Sequence, residues 1–178
     1  MEERILSCCF TGYRPQKFPF ALDHNNPQYR EFENRLISEI SGLIGAGCLN
    51  FYTGMAMGFD IVAAECVLIL AKAFKNSAVR LICAIPFTGQ SAKYPLEWKE
   101  RYENILSAAD QKVLISDRYY RNCYFERNRF MVDNSDFVLT WFDGSPGGTR
   151  NTIRYAESVF RKVINLYTGC EDDRSYSE

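Results

Sequence analysis

The chain has 178 residues, of which 47% are hydrophobic, 15% aromatic and 24% charged, a composition that excludes an intrinsically disordered protein. Its 21 Lys and Arg residues nearly balance its 22 Asp and Glu residues, and the formal net charge of -1 gives no general electrostatic reason for a nucleic-acid partner. The seven cysteines include no C-x-x-C pair and the chain has one histidine, which argues against a disulfide framework and a zinc site. No apolar run reaches about 20 residues, which argues against a membrane span.

Short apolar runs alternate with helical periodicities along the chain. The runs predict strands, because turn residues bound them and they lack the three-to-four-residue spacing of apolar positions that marks a helix. Helices are predicted where that spacing occurs, the first of them starting at the N-cap and proline pair Asn26-Pro27. In chain order, the predicted elements are a strand over 5–10, a helix from Pro27 closed by Gly45 and Gly47, a strand over 49–53, a helix over 60–74, a strand over 79–85, a helix around 98–109, a strand over 112–115, a helix over about 123–134, a strand over 137–141, a long helix containing Ile153, Ala156 and Phe160, and a strand over 163–167.

This alternation predicts the α/β fold class. Strands that are continuous hydrophobic runs, separated by helices, are typical of a parallel sheet that is covered on both faces. We therefore expect a doubly wound, mostly parallel sheet of five to six strands with helices on both faces. We also expect residues 1–168 to form a single domain, the polar tail at 169–178 to fray, and the protein to be cytoplasmic, without a metal site.

Three strand-to-helix loops carry polar residues and glycines, at 11–14, 53–60 and 143–149. Right-handed crossovers bring such loops to one edge of a parallel sheet, where ligands bind near the point at which strand order reverses. The step Gly147-Gly148-Thr149 before a helix is suited to a phosphate, although it is also typical of a plain turn. Neither the dinucleotide pattern G-x-G-x-x-G nor the P-loop pattern occurs, so we expect no NAD or ATP motif and no cofactor.

Two charged residues are candidates for contact with a ligand. Arg127 shares an inward helical face with Tyr124 and Met131, and a buried arginine needs an anionic partner. That partner is either a ligand at the sheet edge or one of three carboxylates, those of Asp133, Asp136 and Asp143. Asp60 begins its helix and either contacts a ligand or only interacts with the helix dipole. Six aromatic residues are candidates either for stacking a base or for ordinary packing: Tyr94, Trp98, Tyr102, Tyr119, Tyr120 and Tyr124.

The sequence contains TGYRP at 11–15, TGMAMGFD at 53–60 with Glu65 after it, and Ile85-Pro86-Phe87 with Gln90. These motifs resemble those of the YpsA-like group in the SLOG superfamily of Rossmann-like proteins. The resemblance covers about residues 5–165. It implies a Rossmann-like fold and favours a homodimer.

A second set of residues is similar to the signature of the Lonely Guy phosphoribohydrolases, which belong to the same superfamily and release a base from a nucleoside 5′-monophosphate. The chain carries Arg127-Asn128, Met131, Asp136 and the segment PGGT at 146–149. The resemblance implies that Arg127 and the helix start at the end of this segment hold a phosphate or a ribose.

The chain departs from this signature in its glycine loop and in one acidic position. The position of the catalytic glutamate in those enzymes is Thr152, and a threonine cannot activate water or stabilise a cationic sugar. If the protein is an enzyme, a carboxylate must therefore come from elsewhere. The candidate catalytic residues are Arg127, Asp60, Glu65 and Asp143.

The preferred hypothesis is the binding of a nucleotide or a nucleotide-derived small molecule at the C-terminal edge of the sheet, with a sensor as one such role. A phosphoribohydrolase is the alternative. Binding of single-stranded DNA is a second alternative, because DNA-processing A proteins share the superfamily fold, and the net charge makes it the weaker one. The predicted ligand-binding residues are Thr11, Gly12, Arg14, Thr53, Gly54, Gly58, Asp60, Pro86, Gln90, Arg127, Asn128, Asp143, Gly144, Gly147, Gly148, Thr149 and Thr152.

Overall fold

Six strands and five α-helices alternate along the residues that the computed structural model describes, which are 4–74 and 78–168. The first helix begins as predicted, since the Asn26 side chain accepts a hydrogen bond from the N–H of Gln28 (2.9 Å). In chain order, the elements are β1 (Leu6–Gly12), α1 (Pro27–Gly45), β2 (Cys48–Thr53), α2 (Phe59–Ala73), β3 (Arg80–Ile85), α3 (Leu96–Ala108), β4 (Gln111–Leu114), α4 (Cys123–Asp133), β5 (Phe137–Trp141), α5 (Gly148–Ser158) and β6 (Lys162–Asn165), with short 3-10 helices at Pro15–Lys17 and Gln90–Lys93.

The six strands form one parallel sheet in the order β4-β3-β2-β1-β5-β6. The chain builds outwards from β1 to β4, and β5 then returns to pair with the other side of β1. This reversal confirms the predicted Rossmann-like, doubly wound α/β fold. Gly12 pairs with Trp141 at the last residues of β1 and β5, so the loops that follow these two strands flank one crevice.

Helices cover both faces of the sheet. α1, α2 and α3 pack over the larger core, in which Phe10 of β1 is fully buried. α4 and α5 cover the opposite face over a smaller core, to which Met131 belongs. Cys8 and Cys9 are fully buried and belong to different cores, because successive side chains of a strand point to opposite faces. Since α2 is buried nearly all round, a polar residue in its first turn lies inside the protein.

The prediction of a long final helix is wrong. α5 ends at Ser158 and does not continue through Phe160, which is 95% exposed and has a φ of +59°. The N–H of Arg161 donates to the carbonyl of Ala156 (2.8 Å), which closes the helix and turns the chain into β6. Apolar spacing places Ile153, Ala156 and Phe160 on one helical face, but spacing alone does not show where a helix ends.

The predicted fraying tail at 169–178 lies outside the described residues. Within the described residues, the six cysteines are buried free thiols. None of the helices there combines the length and the apolar character that crossing a membrane requires.

Candidate functional site

A cavity of about 600 Å³ opens at the point where strand order reverses, between the loops that follow β1 and β5. The first turn of α5 and one face of α4 complete its wall. We call it the β1–β5 cavity. It is lined by Thr11, Gly12, Tyr13, Arg14, Gln16, Lys17, Ala56, Asp60, Tyr124, Arg127, Asn128, Gly147, Gly148 and Thr149.

The amino end of α5 forms one side of this cavity. Gly148 is the first residue of the helix, and the first N–H groups of an α-helix have no acceptor within the helix. The Thr149 hydroxyl donates to the carbonyl of Gly12 (3.1 Å), which ties the start of α5 to the end of β1. The helix end therefore presents free N–H groups and a partial positive charge to the cavity, an arrangement that favours an anion.

Three cationic side chains surround the same space. Arg14 and Lys17 are exposed on the loop after β1, where the ammonium of Lys17 lies 3.3 Å from the carbonyl oxygen of Pro146. Arg127 reaches the cavity from α4 and is only 5% exposed. Against these three cations the lining contributes one carboxylate, that of Asp60, so the cavity carries a net positive charge.

Arg127 is held by a chain of hydrogen bonds. Its Nη1 donates to the carbonyl of Gly54, and its Nε donates to Oδ1 of Asn128 (2.7 Å). The Asn128 amide donates to the Thr152 hydroxyl (2.9 Å), which in turn donates to the carbonyl of Gly148 (3.0 Å). This chain fixes the guanidinium relative to the first turn of α5, so that both groups line the β1–β5 cavity. Burial lowers the pKa of Arg127, and the charge of Asp60 partly offsets that effect.

Arg127 does not form an ion pair with any of the three carboxylates that the sequence offers as its partners. Each of these carboxylates accepts hydrogen bonds from other groups. Asp133 accepts from the Tyr155 hydroxyl, Asp136 from Arg4 and from the N–H of Ser7, and Asp143 from the Tyr13 hydroxyl and the N–H of Ser145.

Two glycines of the loop after β2 act by making room rather than by lining the cavity. A Cβ atom on Gly54 would overlap the guanidinium of Arg127, so only glycine lets the arginine reach the backbone there. Gly58 has a φ of +94°, and a Cβ atom on it would collide with the carbonyl of Tyr13. Both positions therefore bring the loop after β2 close to its neighbours at the edge of the sheet.

Asp60 lies in the first turn of α2 and is 5% exposed. Burial raises the pKa of its carboxyl group to about 6, although the nearby charges of Arg127 and Arg14 lower it. The backbone at Ala56 and Gly54 also lowers the pKa of this carboxyl group. The cavity thus has a buried carboxyl group that gains or loses its proton close to neutral pH.

Glu65, a second candidate carboxylate, lies elsewhere. It forms two hydrogen bonds with Arg101 (2.7 and 2.8 Å) and lines a separate cavity of about 630 Å³ between α1, α2 and α3. Asp60 and Glu65 are five positions apart, which on an α-helix separates them by roughly 140°. The structure therefore does not bring these two carboxylates together.

Three of the other predicted residues lie outside the lining and support it. Thr53 donates to the carbonyl of Asp60 (3.0 Å), and Gln90 donates to the carbonyl of Gly54 (2.9 Å). Thr152 is buried behind the lining as a link in the Arg127 chain. The remaining predicted residues that the structure does not place in the lining are Gly54, Gly58, Pro86, Asp143 and Gly144.

Four lining residues were not predicted to contact a ligand: Tyr13, Gln16, Lys17 and Ala56. Tyr124, which also lines the cavity, was a candidate only for stacking a base. Tyr13 lies within the TGYRP motif and Tyr124 on the face of Arg127, so both had a signal in the sequence. The side chains of Gln16 and Lys17 come from a 3-10 turn, which has no apolar periodicity to predict it.

Among the residues described, no group of three or more His, Cys, Asp or Glu side chains is arranged to hold a metal ion.

Comparisons with known proteins agree with this architecture. The family model YpsA, described as the YspA SLOG family, matches residues 8–163. The uncharacterized SPbeta prophage-derived protein YoqJ of Bacillus subtilis (strain 168) is 30% identical over 148 residues, which are 76% of this chain and 85% of that protein. A UPF0398 protein of Bacillus pumilus is 28% identical over 172 residues, covering 94% of this chain and 90% of that protein.

Two solved structures of DNA processing protein A have the same fold. The protein from Streptococcus pneumoniae aligns with a TM-score of 0.63 and 17% identity, covering 94% of this chain but only 52% of that one. The protein from Helicobacter pylori, described for its single-stranded DNA binding mode, aligns with a TM-score of 0.62 and 18% identity, covering 93% of this chain and 67% of that one. At these identities the likeness shows the fold alone.

Proposed function

The chain belongs to the YspA SLOG family. We propose that its β1–β5 cavity binds a nucleotide or a nucleotide-derived small molecule by the phosphate group. The phosphate would accept from the N–H groups at the start of α5 and from Arg127, with Arg14 and Lys17 at the rim. The volume of about 600 Å³ lies within the range of about 300–1,000 Å³ that small-molecule sites occupy.

The observation that carries this proposal is the buried guanidinium of Arg127. A desolvated cation is costly unless hydrogen-bonded acceptors surround it. Two of its three nitrogens have acceptors, whereas Nη2 makes no hydrogen bond to any of the described residues. An anionic ligand in the cavity would accept a hydrogen bond from Nη2. It would also interact favourably with the partial positive charge at the start of α5.

Asp60 supports a ligand that also carries hydroxyl groups. A carboxylate only accepts hydrogen bonds, so it repels a phosphate but receives the hydroxyls of a sugar. Keeping a carboxyl group buried and ionised destabilises the protein, and a role in recognition would account for a carboxylate at this position. We therefore assign the phosphate to the α5 side of the cavity and a ribose to the side of Asp60.

Calorimetric titration tests the proposal with three probes: AMP, ribose 5-phosphate and adenosine. We expect both phosphates to bind, adenosine to bind at least about tenfold more weakly, and Arg127→Gln to weaken both phosphates by roughly 10- to 150-fold. The matched control is Arg154→Gln, which removes an exposed arginine of α5. Absence of heat with all three probes at millimolar concentration, or equal binding of adenosine and AMP, would contradict the proposal.

A phosphoribohydrolase remains the alternative, and Asp60 is the one candidate carboxylate that lines the cavity. Incubation with AMP followed by detection of free adenine decides it. Turnover that Asp60→Asn abolishes would establish an enzyme, whereas intact AMP after prolonged incubation would leave a binding protein.

Binding of single-stranded DNA is favoured by the fold shared with the Helicobacter pylori protein and by the two exposed cations at the cavity rim. The net charge of -1 argues for the small ligand instead. A gel shift with an oligonucleotide that is lost as salt rises would favour DNA.

We also propose a reducing compartment such as the cytoplasm, because the described cysteines are buried free thiols. The homodimer implied by the superfamily stays a prediction.

A further inference from the structure

Three aromatic rings form a cluster, of which Tyr124 lines the β1–β5 cavity and Phe87 and Tyr119 pack against Tyr124. The ring centroids of Phe87 and Tyr119 are 5.3 Å apart, those of Phe87 and Tyr124 are 5.7 Å apart, and those of Tyr119 and Tyr124 are 6.4 Å apart. All three pairs meet edge to face, a favourable geometry for aromatic pairs. We call these three residues the aromatic platform.

The packing of the protein does not explain this platform. None of its three residues belongs to the two buried cores, and Tyr119 is 60% exposed. Three of the other aromatic candidates have structural roles: Trp98 and Tyr102 are buried in the larger core, and the Tyr94 hydroxyl donates to the carbonyl of Met55 (3.1 Å). Large rings held together at an exposed edge are thus available for a ligand.

Tyr124 connects the platform to the proposed phosphate site. It lines the cavity, and the centre of the Arg127 guanidinium lies 5.8 Å from the centroid of its ring. A ligand whose phosphate contacts Arg127 would therefore have aromatic rings beside the rest of its structure. Every nucleobase has a flat π-face that stacks on aromatic side chains, whereas a sugar phosphate has none.

We propose that the aromatic platform is a subsite for a nucleobase, so that the ligand is a mononucleotide with its base against Tyr119 and Tyr124. This inference rests on the proposed function for the position of the phosphate. It adds that the base, and not only the phosphorylated sugar, is recognised.

The experiment compares the affinities of AMP and ribose 5-phosphate for the wild type, Tyr119→Ala and Tyr124→Leu. We expect the wild type to prefer AMP by about tenfold or more, within the range that base stacking on an aromatic side chain contributes. Each variant should lose most of this preference, and Tyr119→Ala, which lies outside the cavity lining, should bind ribose 5-phosphate within about twofold of the wild type. Phe125→Ala is the matched control, because Phe125 is an aromatic residue of α4 that is 49% exposed and belongs to neither the platform nor the cavity lining.

A second measurement reports stacking directly. The adenine H2 and H8 resonances of AMP should move upfield on binding to the wild type, because they enter the ring currents of the platform, and Tyr119→Ala should reduce that shift.

The outcomes separate the two claims. If ribose 5-phosphate binds as tightly as AMP, or if the preference for AMP survives in both variants, the base subsite is wrong while the phosphate site stands. If neither compound binds, the proposed function and the base subsite both fail. If a single-stranded oligonucleotide binds far more tightly than AMP and Tyr119→Ala weakens it, the platform binds DNA and the mononucleotide is refuted.

Discussion

Replacing Asp60 with Asn should stabilise the free protein while weakening ligand binding. The pKa of this carboxyl group is 3.8 without perturbation and about 6 in the folded protein, where burial is the main cause. Below about pH 4 the carboxyl group is protonated in both states and does not lower the free energy of unfolding. Because its pKa is raised in the folded state, the free energy of unfolding falls as pH rises from about 4, and the loss is complete once pH has passed through about 6. The difference of about 2.2 pKa units, at 1.36 kcal/mol each, corresponds to ~3 kcal/mol lost above pH 6.

The assay is urea unfolding of the wild type and Asp60→Asn at several pH values from 4 to 7. The asparagine does not ionise, so the stability of the variant relative to the wild type should increase by about 2.4 kcal/mol across this range, which begins just above the unfolded-state pKa. Using the change with pH removes any constant effect of the new amide group. Glu100→Gln, at an exposed carboxylate of α3, shows how much the loss of one surface charge contributes. A stability difference that is constant with pH would show that folding does not raise the pKa of Asp60.

The same variant has a second expected outcome, a loss of affinity for AMP. The Asn side chain keeps one acceptor oxygen but replaces the other with a donor, which cannot receive a ribose hydroxyl. If Asp60→Asn is more stable above pH 6 and binds AMP as tightly as the wild type, Asp60 is buried without a role in recognition.

Three further predictions follow from the contacts of the site. Arg127→Gln should raise the pKa of Asp60, because the positive charge of Arg127 lowers that pKa in the wild type. A ¹³C-detected titration of the Asp60 carboxyl group measures the change, and an unchanged midpoint would contradict the prediction. Gly54→Ala should destabilise the protein by about 1–3 kcal/mol and weaken AMP binding, since its methyl group overlaps the guanidinium. Gly42→Ala is the control, because its methyl group meets open space in α1 and should be stabilising in urea unfolding. Thr152→Val should cost about 0.5–1.5 kcal/mol by removing the hydrogen bond that the half-buried amide of Asn128 makes, and unchanged stability in thermal unfolding would show that the hydrogen-bond chain to α5 is unimportant.

The architecture and the central residues of the site could be predicted because they follow from periodicity and topology. Apolar spacing placed Arg127 on the inward face of α4, and the parallel sheet brings the carboxyl ends of β1 and β5 together. Asp60 could be predicted as a member of the site because a carboxylate just after a glycine loop lies at the same edge of the sheet.

The remaining features of the site depend on tertiary contacts that no local sequence pattern predicts. Lys17 reaches the cavity because a 3-10 turn folds the chain after β1 back over the start of α5. Glu65 was a reasonable candidate by residue type, but its helical position turns it towards Arg101. The aromatic platform joins Phe87 to two tyrosines that lie more than 30 residues further along the chain, so no local pattern predicts it.

A crystal structure of the protein grown with AMP would show whether the β1–β5 cavity holds a nucleotide by its phosphate. We expect a phosphate within hydrogen-bond distance of Arg127 and of the N–H groups at 148–149, with adenine against the aromatic platform. AMP bound instead in the separate cavity beside Arg101, or a β1–β5 cavity without AMP at saturating concentration, would contradict this expectation.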